Sequence, residues 1–259
     1  MEDLILTRRE RKALKRKNKG KNMSLETHTR KTNSPFRLQR ISPKTVNQEK
    51  VFREFSNGQN VLIHGFPGTG KSFISLYLAL NEIEEYKEYS KVVLIRSTVP
   101  SRDMGYLPGS IKEKAEIYES PYYDICSELY DRGDAYEILK NKGLIEFHTT
   151  SYMRGMTLND SIIILDEAQN CTEQELVTIL TRIGSNSRLI ICGDLGQNDL
   201  VYKRNDYTGL ISTMNILKKV PLVSFVEFTA EDICRSDFVK QYILARYSSE
   251  EPAKTNVYV

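Results

Sequence analysis

Six short apolar runs punctuate the chain: 60–64 (Asn-Val-Leu-Ile-His), 91–96 (Lys-Val-Val-Leu-Ile-Arg), 144–148 (Leu-Ile-Glu-Phe-His), 161–165 (Ser-Ile-Ile-Ile-Leu), 188–192 (Arg-Leu-Ile-Ile-Cys) and 222–227. Several are β-branched and continuously apolar instead of alternating with polar residues. That pattern predicts parallel strands covered on both faces. Helical periods lie between them. Phe73, Ile74, Leu76, Tyr77, Leu80 and Ile83 form one apolar stripe, with Glu82, Glu84, Glu85 and Glu88 mostly outside it. Thr172-Glu173-Gln174-Glu175 reads as a capping box that opens a helix through Leu176, Ile179, Leu180 and Ile183, with Gly184 as its stop. Strands alternating with helices predict an α/β fold, a mostly parallel sheet sandwiched between helices.

The pattern fails at both ends. Residues 1–40 carry thirteen Lys and Arg against four Asp and Glu, while the rest of the chain carries 24 against 30. So much like charge among so few apolar residues does not bury a core, so 1–40 reads as a basic tail with a transient helix over 2–17. Residues 41–247 form the predicted domain and 248–259 a loose C-terminal end. A basic arm on an otherwise acidic chain suits a polyanion, since each phosphate it neutralises releases counterions. The same arm could equally be a solvated tail.

Bulk properties exclude some classes. No apolar run approaches the roughly 20 residues needed to cross a bilayer, and no apolar stretch follows the basic N-terminus as in a secretory signal. Cys126, Cys171, Cys192 and Cys234 are far apart, which fits neither a zinc ribbon nor a disulfide framework. Reduced, core-packed thiols in the cytoplasm are expected. His28, His64 and His148 are too scattered for a zinc site; His64 and His148 are expected to pack at strand ends.

One strand-to-helix junction carries chemistry. Gly65-Phe66-Pro67-Gly68-Thr69-Gly70-Lys71-Ser72 matches G-x-x-x-x-G-K-[ST], with an apolar run before it and an amphipathic stripe after it. The glycines let successive N–H groups point at one phosphate, and the helix N-terminus adds its dipole. Lys71 is placed for the outer phosphates of ATP and Ser72 for Mg²⁺. A second junction, Ile162-Ile163-Ile164-Leu165-Asp166-Glu167, ends an apolar strand in two acids. Asp166 would sit beside the metal and Glu167 would polarise the attacking water. A third, Gly193-Asp194-Leu195-Gly196-Gln197, offers Gln197 to orient water or report the γ-phosphate; it could also be a plain Gly-Asp turn. An acid that orients water favours hydrolysis over a small-molecule kinase, whose acceptor pocket and arginine-rich lid have no counterpart in these motifs. A nucleotide-switched binding protein with negligible turnover stays open.

With these blocks the chain resembles the PhoH-like family, single-domain P-loop ATPases similar to the core of superfamily 1 helicases. The resemblance runs from about Thr45 to Tyr242. It adds Gly105-Tyr106-Leu107-Pro108-Gly109, Tyr152-Met153-Arg154-Gly155-Met156-Thr157-Leu158, Ala168-Gln169-Asn170, Leu180-Thr181-Arg182-Ile183-Gly184 and Asp232-Ile233-Cys234-Arg235. It implies a RecA-like core. Gln48 is similar to the glutamine that helicases place on adenine. Arg235 is similar to an arginine that reaches a γ-phosphate, in cis or from a neighbouring subunit; otherwise it would pair with Asp232 or Asp237. Arg96 and Arg154 correspond to strand-end positions where helicases touch nucleic acid or phosphate. The family's implied partners are RNA or single-stranded nucleic acid and copies of itself, in a ring that could be a hexamer. Some relatives carry a PIN-type nuclease domain and helicases proper a second RecA-like domain. Neither is expected here, so unwinding would need neighbouring subunits to lend the missing surface. Tyr118, Tyr122 and Tyr123, near Pro121, suit either stacking on bases or helix packing.

Overall fold

The computed structural model describes residues 36–97, 111–153, 155–195 and 209–250, with the side chains of 111–115 and 249–250 left aside. All six apolar runs are strands: β1 Asn60–Gly65, β2 Lys91–Arg96, β3 Ile145–Thr149, β4 Ser161–Asp166, β5 Ser187–Gly193 and β6 Val223–Phe228. They form one sheet in the order β3-β2-β4-β5-β1-β6, every pair parallel. Parallel pairing requires crossovers, which the intervening helices supply. Those helices are α1 Val46–Ser56, α2 Lys71–Asn81, α3 Ile111–Tyr130, α4 Ala135–Asn141, α5 Glu173–Leu180, α6 Gly209–Leu217 and α7 Asp237–Glu250.

Strands β1, β2, β4, β5 and β6 feed two cores because successive side chains point to opposite faces, while the edge strand β3 adds Ile145 and Phe147 to one. Ile63, Leu94 and Ile164 meet α1–α4 on one face, while Leu62, Ile95 and Ile163 meet α5 and α6 on the other. This explains the unbroken apolar runs. Helix α2 is the most enclosed: Ile74 to Leu80 are all buried. Its glutamates follow in a π-helical turn, Glu82–Tyr86. The capping box forms as read, with Thr172 accepting from the Glu175 N–H and Glu175 from the Thr172 N–H. The stop differs. Helix α5 ends at Leu180, and Ile183 instead bridges to Leu158 while the Gly184 N–H donates to the Leu158 carbonyl. The pull of this extra pairing ends the helix a turn early.

The domain edges also move. Within the stretch expected as tail, Phe36 stacks on Tyr130 at 4.6 Å, Leu38 is buried, and the Gln39 N–H donates to the Leu129 carbonyl. Three anchors in four residues outweigh the local charge. Helix α7 runs to Glu250, past the expected edge at Tyr247. The transient helix proposed over 2–17 lies outside the described residues. No described helix is long and apolar enough to cross a membrane.

The strand bearing the phosphate loop, β1, is separated from the acid-bearing β4 by one strand, β5. That is a RecA-like order. It brings the carboxyl ends of β1, β4 and β5 to one rim, where open α/β sheets bind ligands.

Candidate functional site

The phosphate loop is shaped by close backbone approach. Gly65 has φ +115°, and a Cβ there would lie 2.0 Å from the Phe228 carbonyl oxygen of β6, so only glycine can make this turn. Gly70 is left-handed at φ +84° and caps α2, whose first residue is Lys71. Inside the loop the Thr69 hydroxyl donates to the Phe66 carbonyl. The Lys71 ammonium donates to the carbonyls of Gly65 at 2.9 Å and Phe66 at 2.7 Å. Burial lowers its pKa, opposed by Asp194, Cys192, Glu167 and Asp166. The ammonium therefore rests on exchangeable backbone partners in a dry place, poised for a stronger anion.

Asp166 closes β4, a strand buried along its whole length. The Ser72 hydroxyl donates to Asp166 Oδ1 at 2.8 Å, so residues 94 positions apart meet across the rim. A hydroxyl and a carboxylate are hard oxygen donors, and Mg²⁺ characteristically takes few protein ligands and keeps its waters. The pair fits that ion. Among the described residues no cluster of three or more His, Cys, Asp or Glu is arranged to hold a metal, so a zinc-type centre has no counterpart there.

Glu167 leaves the strand in the left-handed region at φ +53°. For a residue with a Cβ this costs about 1–2 kcal/mol, offset by what holds the side chain. Gln169 donates to its Oε2 at 2.5 Å, and the Arg96 guanidinium lies 3.8 Å from its Oε1. Burial raises the Glu167 pKa and Asp166 adds to this, with Arg96, Gln169 and Lys71 opposing. Gln169 is itself buried and accepts from the Asp194 N–H at 2.9 Å, tying the acid loop to the end of β5. Asp194 in turn accepts from the Tyr247 hydroxyl, whose ring stacks on Phe66 at 4.5 Å. Thus α7 is fastened over the phosphate loop.

Lys71, Ser72, Asp166, Glu167, Gln169 and Asp194 line one cleft of about 860 Å³, together with Pro67, Gly68, Gln48, Arg235 and the Pro121–Glu128 face of α3. Gln48 is buried, not the exposed helix residue it could have been. Its amide donates to the Thr69 carbonyl at 3.1 Å and to the Cys234 sulfur at 3.5 Å, and its oxygen accepts from the Lys44 N–H. Both amide hydrogens are engaged, so one lone pair is left for a base amino group. Arg235 is exposed and packs along Gly68; among the described residues it forms no ion pair. The expected alternative partner, Asp232, is buried and occupied by the Asn47 amide at 2.8 Å and the Thr229 N–H at 2.7 Å. The Cys234 N–H donates to the Gly68 carbonyl, so the Arg235 segment is laid against the phosphate loop.

A match to the PhoH-like protein family model covers residues 40–247. A PhoH-like protein of Mycobacterium tuberculosis is 35% identical over 215 residues, 82% of this chain and 59% of that protein. One from Bacillus subtilis is 34% identical over 206 residues, 79% of this chain and 63% of that protein. This chain belongs to the PhoH-like family. It spans about three fifths of the length of these relatives. Among solved structures, a Pif1 helicase from Candida albicans is similar at 15% identity and TM-score 0.40, covering 77% of this chain and 43% of that one. The fold assignment rests on strand order and loop geometry, which stand without that likeness.

The family match and the geometry of the phosphate loop make this a nucleotide-binding P-loop protein. The rim brings together Gln48, the loop 65–72, Asp166, Glu167 and Arg235, all named from sequence. Gln197, Arg154 and the 105–109 block lie outside the described residues. Of the cysteines, Cys126, Cys171 and Cys192 are buried as expected, but Cys234 is exposed, on a surface segment held to the phosphate loop by its backbone N–H and to Gln48 by its sulfur. His64 is half-buried at the end of β1 with its pKa lowered by burial, as befits a packed strand-end residue. Three residues escaped sequence reasoning in these roles: Gln169 and Tyr247, which tie loops together, and Tyr122. The phenol of Tyr122 is wholly buried on α3 and donates to Asp166 Oδ2 at 2.9 Å. Its neighbour Tyr123 packs on Tyr136. Both tyrosines take the helix-packing role.

Proposed function

We propose that this PhoH-like chain binds ATP with Mg²⁺ and hydrolyses it, and that RNA or single-stranded nucleic acid stimulates the reaction. One observation carries the reading: the Ser72 hydroxyl and Asp166 carboxylate touch at 2.8 Å, with Glu167 and Lys71 opening onto the same cleft. The loop amides and Lys71 bind the β- and γ-phosphates, Lys71 exchanging its two carbonyl partners for phosphate oxygens. Ser72 and Asp166 would hold Mg²⁺, which supplies charge neutralisation at the phosphate oxygens. Gln48 takes the base. Glu167 orients a water for in-line attack on the γ-phosphorus and accepts its proton, while the bond from phosphorus to the β–γ bridging oxygen breaks. ADP and inorganic phosphate leave. The raised pKa of Glu167 makes it a stronger base than a free glutamate. Arg235 faces the charge that develops on the γ-phosphate, in the same subunit or the next of a ring, and Gln197 is assigned to the water or the γ-phosphate.

The nucleic-acid half rests on the basic arm, residues 1–40, and on strand-end Arg96 and Arg154. A cytoplasmic setting and assembly of copies, a hexameric ring among the forms, belong to the same reading.

The test is phosphate release from ATP measured with single-stranded RNA, single-stranded DNA or neither, for the full chain and for a variant lacking residues 1–35, which keeps the core anchors Phe36, Leu38 and Gln39. Stimulation should decline steeply with added salt, as counterion release requires, and be weaker without the arm. Turnover indifferent to every polynucleotide would remove the nucleic-acid half. Stoichiometric ATP binding without phosphate release would favour a nucleotide switch, and phosphate found on an acceptor instead of in water a kinase.

A further inference from the structure

We infer that Tyr122 is a positioning residue for the metal-binding carboxylate, fixing how the carboxylate plane of Asp166 is turned toward the phosphate loop. The inference rests on the Mg²⁺ role given to Asp166 above. The Asp166 carboxylate is buried and has two hydroxyl donors, one per oxygen: Ser72 on Oδ1 at 2.8 Å and Tyr122 on Oδ2 at 2.9 Å. They come from opposite sides, Ser72 from the phosphate loop and Tyr122 from α3. A carboxylate held at both oxygens cannot rotate without leaving one of them buried and unpaired. The Tyr122 hydroxyl therefore holds the carboxylate so that its other oxygen stays turned toward Ser72.

The tyrosine is built for this and for nothing else in the cleft. On α3 the residues Pro121, Asp124, Ile125 and Glu128 line the cleft, whereas Tyr122 turns into the core. Its ring packs 5.9 Å from that of Phe147 on β3, tilted by 49°. Strands β3, β2 and β4 are consecutive neighbours, so the ring is seated on the same part of the sheet that carries Asp166. A phenylalanine would fill the space equally well. The hydroxyl adds only the contact with the acid.

Partners that orient a metal ligand from behind typically contribute 10–100-fold in metal affinity. The experiment compares the full-length protein with its Tyr122→Phe variant. It measures the Mg²⁺ concentration for half-maximal phosphate release, Mn²⁺ affinity by electron paramagnetic resonance with ADP present, and ADP affinity in EDTA. Tyr122→Phe should raise the Mg²⁺ midpoint and weaken Mn²⁺ about tenfold or more, leaving ADP affinity in EDTA within twofold. Phe147→Leu, which loosens the ring but keeps the hydroxyl, should lower the melting temperature with at most a small shift in the metal midpoint. In an Asp166→Asn background, Tyr122→Phe should change Mn²⁺ affinity by less than twofold. An unchanged metal midpoint in Tyr122→Phe, or the same loss in the Asp166→Asn background, would overturn the assignment. If the parent protein itself shows no metal dependence, the Mg²⁺ reading fails instead.

Discussion

The two ends of the sheet use charge in opposite ways. At the amino end, Arg188 opens β5 and is buried beneath α1. It donates from Nη2 to the carbonyls of Phe55 and Gln59, lies 3.8 Å from Glu82, and sits 3.7 Å over the Phe55 ring. Its partners are the end of one helix and the turn after another, and it is not among the residues that line the cleft at the rim. At the carboxyl end, Lys71 and Glu167 are also half-buried, yet Lys71 leans on two carbonyls of its own loop and Glu167 on Gln169 and a 3.8 Å contact with Arg96. Those partners are replaceable by a phosphate or a water, and a cleft of about 860 Å³ stands open to admit one. Burial of charge does not by itself mark a site. Charge with exchangeable partners beside a cavity does.

The comparison breaks if charge at the two ends can be removed with the same consequence. The largest expected effect is at the rim. Glu167→Gln should lower phosphate release by about 10³-fold while nucleotide affinity, read by fluorescence titration, changes by less than threefold. A glutamine variant that turns over normally would remove Glu167 from the chemistry. Next in size, Arg188→Met should cost about 2–4 kcal/mol of stability by leaving two carbonyls and Glu82 without their donor. Denaturant melts should report that loss, with turnover per folded molecule preserved; a loss of turnover without a loss of stability would erase the contrast. The smallest effect sharpens the picture. Arg96 opposes the upward shift of the Glu167 pKa, and Glu167 must be ionised to take a proton. Turnover therefore falls as pH drops through that pKa, which lies above the ordinary glutamate value. Arg96→Ala should move this acid limb to still higher pH, with at most about a fivefold loss at neutral pH. A limb that stays in place or moves down would show that Arg96 does not act on Glu167.

Sequence reading succeeded where one local rule governs. Apolar runs located all six strands, unbroken where β2, β4 and β5 are covered on both faces and interrupted by Glu146 and Glu227 in the edge strands β3 and β6, and glycine spacing located the loop because Gly65 and Gly70 need backbone angles other residues avoid. It failed where distant contacts outvote local ones. Phe36 and Leu38 sit in a basic stretch, yet they find Tyr130 and the core. Helix α5 gives up its last turn to pair with Leu158. Tyr122 could be read as packing or stacking, and nothing nearby in the chain reveals that an acid 44 positions later accepts its hydroxyl.

Composition and order of residues alone therefore determined the layered α/β class, the phosphate loop, the acid pair and the family. Each depends on side-chain periodicity or on a few adjacent residues whose geometry is local. The tertiary structure alone decided that the Asp166 carboxylate meets Ser72, what restrains Glu167, how Gln48 is occupied, and that Asp232 is hydrogen-bonded while Arg235 forms no ion pair among the described residues. The first follows from the strand order, which places β5 between β1 and β4 and so sets the distance across the rim, and the others from packing residues far apart in the chain against one loop.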